Sequence, residues 1–103
     1  MSRAIVLNPS DNVATLLDPG TEGDRCLLQG ERSGEITLRQ DVPFGLKVCI
    51  AQTPAGAEIL KYGQVIGIAR QSLRIGEHAH VHNIDSTRAR LPELLDAASV
   101  ITA

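Results

Sequence analysis

Apolar residues along the chain occur in short runs that Gly, Pro, Asp and Asn repeatedly interrupt. The first two runs are residues 4–7 and 13–17. The cluster Pro9-Ser10-Asp11-Asn12 separates them and Asp18-Pro19-Gly20 closes the second. Residues of these types stop a strand because each fixes φ, permits φ above zero or hydrogen-bonds its own backbone. A polar stretch, residues 20–25, leads to the short run 26–28 and a Gly-bracketed charged turn, 30–34. Glu35-Ile36-Thr37-Leu38-Arg39 then alternates strictly between polar and apolar, the period of a half-buried strand. Runs at 46–51, 58–62 and 64–69 follow, punctuated by Pro43-Phe44-Gly45, Pro54-Ala55-Gly56 and Gly63. Beyond Ile75-Gly76, residues 78–84 read as one more strand. Strands this short and this closely spaced predict a compact all-β domain.

The pattern changes at the C-terminal end. Residues 85–90 form a polar linker, after which Leu91, Leu94, Leu95, Ala98 and Ile101 recur at helical spacing, with Pro92 suited to a first turn. A helix of about three turns is too short to persist alone in water. It is therefore expected to dock, on its own domain or on a partner subunit, with a frayed terminus as the alternative. The expected organisation is a β domain over residues 1–84, then linker and amphipathic helix over 85–103.

Composition narrows the function. One domain is what 103 residues and 11.0 kDa allow. With 43% hydrophobic and 21% charged residues the chain has the make-up of a globular protein, and no apolar run approaches a membrane span. Aromatic content of 2% leaves no base-stacking platform, and a net charge of −2 leaves no basic footprint for nucleic acid. The N-terminus shows no secretory pattern, so a cytoplasmic setting is expected, with Cys26 and Cys49 as thiols. Their spacing is not that of a zinc knuckle.

The candidate chemistry lies in Glu77-His78-Ala79-His80-Val81-His82-Asn83, which holds all 3 histidines of the chain. On one extended strand His78, His80 and His82 would share a face, neighbours about 6–7 Å apart at Cα and the outer pair about 13 Å apart. Imidazole titrates near neutrality and ligates metals, so the row can furnish a general acid, a general base or a metal ligand. His80 and His82 are the expected catalytic groups, with Asn83 orienting one of them or the substrate. His78 and His80 are the expected metal-ligating pair. A solvated edge-strand face is the simpler alternative. In Lys61-Tyr62-Gly63-Gln64, Lys61 can hold a substrate carboxylate and Tyr62 can donate a hydrogen bond. The alternative there is a strand end with Lys61 in water and Tyr62 in the core. Gly63 and Gly67 are expected to serve backbone geometry.

Four blocks in order carry a family resemblance: Asp11-Asn12-Val13-Ala14; Val42-Pro43-Phe44-Gly45-Leu46-Lys47-Val48; Ile59-Leu60-Lys61-Tyr62-Gly63-Gln64-Val65-Ile66-Gly67; and Gly76-Glu77-His78-Ala79-His80-Val81-His82-Asn83. Over residues 4–84 the chain resembles the SAF domain of the altronate dehydratase family. The resemblance implies a β-clip fold and a cytoplasmic sugar-acid lyase. It also implies a divalent metal, iron(II) first and manganese or magnesium after it, bound mainly by a large catalytic subunit. That large domain does not lie within these residues, so the resemblance implies the small subunit of a split enzyme, expected to be inactive alone, which a homo-oligomeric assembly would also suit. It brings Asn12 forward as a substrate-binding residue beside Lys61 and Tyr62. The triple-histidine segment is shared with the small subunit of sulfolactate sulfo-lyase. A sulfo-lyase subunit and a non-catalytic sugar-acid-binding module are the alternatives. Relatives carry a histidine where this chain has Leu46.

Overall fold

The structure is a computed structural model, which describes residues 1–80 and 82–86. Nine strands make up the described body: β1 (Ser2–Val6), β2 (Val13–Leu16), β3 (Arg25–Gly30), β4 (Gly34–Thr37), β5 (Lys47–Cys49), β6 (Glu58–Lys61), β7 (Gln64–Ala69), β8 (His78–Ala79) and β9 (Ile84–Ser86). The expected all-β domain is what is found. The helix expected over residues 91–101 lies outside the described residues, as does most of the linker, although β9 extends into residues 85 and 86.

A six-stranded sheet has the order β4-β3-β1-β2-β5-β8, and a three-stranded sheet the order β6-β7-β9. Every pairing is antiparallel except β1 with β3, where Ser2 to Val6 run beside Cys26 to Gly30 in parallel. Two hydrophobic cores result. One gathers Ala4, Val6, Ala14, Leu16, Cys26, Leu28, Leu38, Val42, Val48 and Ile50; the other gathers Val13, Cys49, Ile59, Ala69, Leu73 and Ala79. Strands β2 and β5 serve both. Val48 and Ile50 enter the first core while Cys49 enters the second. A strand covered on both faces reads as a continuous apolar run rather than an alternating one, which is why 46–51 and 13–17 lacked the alternation of 35–39. Both cysteines are buried thiols, in different cores, and burial pushes each above the ordinary thiol range.

Among the described residues no continuous ladder joins the two sheets; two side chains do much of that work. The Asn12 backbone N–H donates to Leu60 O at 3.3 Å. Its side-chain Oδ1 accepts from the Leu60 N–H at 2.7 Å, and its Nδ2 donates to Glu58 O at 2.9 Å. Asn12 thus imitates an extra strand residue alongside β6. The neighbouring Asp11 is 1% exposed, and its two carboxylate oxygens accept from the N–H groups of Tyr62 and Gly63, both at 2.8 Å. Those residues form the two-residue β6–β7 loop, with φ of 60° and 74°. The left-handed region suits Gly63; for Tyr62 it carries a steric cost of about 1–2 kcal/mol that the carboxylate helps to offset.

Gly67 lets β9 approach β7: a Cβ there would run into the Ile84 side chain and the Asp85 carbonyl. Its role is backbone geometry, as expected. Asp11→Ala removes the acceptor of two loop N–H groups and leaves Tyr62 in its strained conformation. A stability loss of about 2–3 kcal/mol is expected, read as a lower urea midpoint with an unchanged slope.

Candidate functional site

The site begins with how β8 is held. Gly76, at φ 96°, passes so close to Thr37 that a side chain there would collide with the Thr37 carbonyl. Its carbonyl accepts from Arg39 N at 2.8 Å, and its N–H donates to Cys49 O at 2.8 Å. The Arg74–Glu77 turn closes behind it, Glu77 Oε1 accepting from Arg74 N at 2.8 Å. Strand β8 then pairs with β5, Val48 opposite His78 and Lys47 opposite Ala79. The His78 N–H donates to Gln40 Oε1 at 2.8 Å. Ala79 is fully buried in the second core, which anchors the strand between two imidazoles.

The expected single strand over 78–84 is corrected here. Among its described residues strand covers His78–Ala79; a turn follows, with Asn83 N donating to His80 O at 2.9 Å, and strand resumes at Ile84. The cause is Asn83, a residue that competes with ladders for backbone partners. Its side chain is 2% exposed, accepts from the His80 N–H at 2.9 Å and donates to His78 O at 2.8 Å. The turn folds the histidines together instead of spreading them along a row. His78 and His80 rings stack at 5.2 Å and 15°, and the His82 ring meets His78 edge-on at 5.7 Å and 63°. Asn83 Nδ2 also lies 3.0 Å from His82 Nε2. His78, His80, His82 and Asn83 therefore form one cluster.

Lys47 connects this cluster to the second expected region. It is half-buried on β5, and its ammonium is held below the usual lysine range by burial and by the nearby Lys61. Burial also pushes His78 below the ordinary imidazole value, with His80, His82 and Lys47 adding repulsion. Lys47 thus adds positive charge beside His78, and Lys61 lies near Lys47. Sequence reasoning passed over Lys47, though a lysine inside the two-faced apolar run 46–51 was a visible signal. Tyr62 stands at the tip of the β6–β7 loop and is 68% exposed, not in the core. Asn12 is committed differently from expectation: both its amide atoms are bonded to the backbone of β6. Leu46 is half-buried and packs on the first core.

The implied metal can be tested against these residues. Among the described residues no group of three or more His, Cys, Asp and Glu side chains is arranged to hold an ion. The rings of His78 and His80 are nearly parallel, so their in-plane lone pairs do not converge on one point. Among the described residues His78 Nε2 is buried without a hydrogen-bond partner, and His82 Nε2 faces the Asn83 amide. The cluster as arranged does not fit a metal site of this chain's own. No helix among the described residues is long and apolar enough to cross a membrane.

Fold and corner together define a small all-β domain with clustered imidazoles beside Lys47. The family model for the altronate/galactarate dehydratase SAF domain matches residues 2–87, and the chain belongs to that family. It is 37% identical to an altronate dehydratase of Escherichia coli over 90 residues, and 35% identical to one of Bacillus subtilis over 83 residues. These matches cover 87% and 81% of this chain but only 17% and 16% of those enzymes. It is also 30% identical over 88 residues to the (2R)-sulfolactate sulfo-lyase subunit alpha of Chromohalobacter salexigens, covering 82% of this chain and 94% of that subunit. The relatives are lyases or lyase subunits, so the domain is one associated with lyases.

The depressed His78 makes stability pH-dependent. Unfolded, this imidazole takes up its proton near 6.5; folded, it does so only at lower pH. Between those values the unfolded chain binds more protons, so the contribution is complete above about 6.5 and is lost as pH falls further. Urea midpoints of the wild type should drop on acidification by more than those of His78→Gln.

Proposed function

We propose that this chain is the small subunit of a cytoplasmic, altronate dehydratase-like hydro-lyase. With a large catalytic subunit it would convert a sugar acid to a 2-keto-3-deoxy acid. The observation that carries the reading is the corner where three imidazoles, Asn83 and Lys47 meet. Support for the reaction class comes from the 37% identity with altronate dehydratase. Support for a subunit role comes from the sulfo-lyase relative, itself a subunit by name and matched over 94% of its length.

Elimination from a 2-hydroxy acid breaks the C–H bond beside the carboxylate and the C–O bond on the next carbon. Water leaves, and the enol formed rearranges to the ketone. The proton removed is weakly acidic, so the reaction needs a placed base and positive charge near the carboxylate. In this reading Lys47 and Lys61 attract the carboxylate, Tyr62 closes over the sugar chain, and His80 moves the proton. A divalent metal, iron(II) foremost, belongs to the large subunit, because the imidazoles here do not converge on an ion.

A second reading has one specific observation behind it, the near-complete match to the sulfo-lyase subunit. The same corner would then serve elimination of sulfite from sulfolactate, a better leaving group that needs less help from an acid.

The test is to purify the chain with its large partner. 2-Keto-3-deoxy acid formation from a panel of aldonates is then measured beside sulfite release from sulfolactate. His80→Ala should leave assembly intact and lower turnover by about a hundredfold or more. Release of sulfite alone would select the second reading. Full turnover by the variant would make the domain a binding module without a catalytic role.

A further inference from the structure

The Asn83 amide has only one way to sit. Its Oδ1 faces a backbone N–H, that of His80 at 2.9 Å, which can only donate. Its Nδ2 faces a backbone carbonyl, that of His78 at 2.8 Å, which can only accept. Exchanging the amide oxygen and nitrogen would break both bonds, and the side chain is 2% exposed, with little water to repair them. The orientation is therefore fixed by partners whose sense is not negotiable. One amide hydrogen remains, and His82 Nε2 lies 3.0 Å from that nitrogen. A hydrogen on Nε2 would meet the amide hydrogen head-on, so Nε2 must offer its lone pair and the neutral ring carries its hydrogen on Nδ1.

From this we infer that Asn83 is a positioning residue that fixes His82 as the Nδ1–H tautomer, making His82 a hydrogen-bond donor to an anionic oxygen. With Nε2 occupied and Nδ1 protonated, the neutral ring has no free lone pair for a metal or a substrate proton. His82 is exposed, so the Nδ1–H edge can meet a ligand brought by a partner. The chemical class it would take is a carboxylate or the enolate oxygen that develops during elimination. Proton transfer then falls to His80, and the two histidines have different tasks although they lie two residues apart. The ligand's identity rests on the lyase reading; the tautomer does not.

The decisive measurement uses the full chain, labelled with nitrogen-15 and observed at alkaline pH. Two-bond proton–nitrogen correlations distinguish the tautomers, and His82 should show a protonated Nδ1 and a bare Nε2. The ordinary Nε2–H form, or an exchanging mixture, would overturn the inference even if lyase activity were found. Asn83→Asp replaces the donor by an acceptor and should switch His82 to Nε2–H. A folded Asp variant with an unswitched His82 would also overturn it; should that variant not fold, the wild-type spectrum decides alone. In the assembled enzyme, His82→Ala should cost about a hundredfold in turnover. His82→Asn, whose amide can place an N–H where Nδ1 was, should recover part of that loss. If no lyase activity is found with any substrate, the lyase reading fails while the tautomer is still decided by the spectrum.

Discussion

Two neighbouring polar side chains, Asp11 and Asn12, hold the two sheets in one arrangement. A carboxylate and an amide supply hydrogen bonds along β6 and its loop, where the described residues form no continuous ladder between the sheets. Burying a carboxylate is costly unless its oxygens are satisfied, so this clamp works only with the loop N–H groups in place. The dependence runs in both directions. The loop needs the carboxylate to hold Tyr62 at positive φ, and the carboxylate needs the loop. Lys61 and Tyr62 owe their position to this contact, and so does the β6–β7 hairpin that covers the second core.

Much of the fold was legible in the sequence because short strands and tight turns leave local marks. The alternation of residues 35–39 marked a half-buried strand, and β4 with Leu38 occupies that stretch. The runs 58–62 and 64–69, split at Gly63, became a hairpin with its loop at Tyr62 and Gly63. Illegible were features created by long-range contact. Asp11 and Asn12 looked like ordinary turn residues because their partners lie some fifty positions along the chain.

The histidine segment shows the same division. Its residue types announced a cluster, but period-two spacing predicted a straight row. The departure came from Asn83, whose side chain bonds two backbone groups of the segment before it. An asparagine after a run of alternating residues is a weak sign of a turn, outweighed here by the apparent strand. Lys47 was overlooked for a related reason: its importance depends on β5 lying beside β8, a pairing that sequence periodicity does not specify.

That pairing bears on how the chain reaches its native state. Strand β5 finds its partner β8 about thirty residues further along the chain, so any state that lacks β8 leaves β5 an open sheet edge carrying Val48 and Cys49. Unpaired apolar edges recruit other chains and are a common route to aggregation during folding. A charge set into such an edge is a familiar deterrent to that association, and Lys47 stands at the start of β5. The same ammonium that would attract a carboxylate in the finished protein can therefore guard the half-folded one against its own copies.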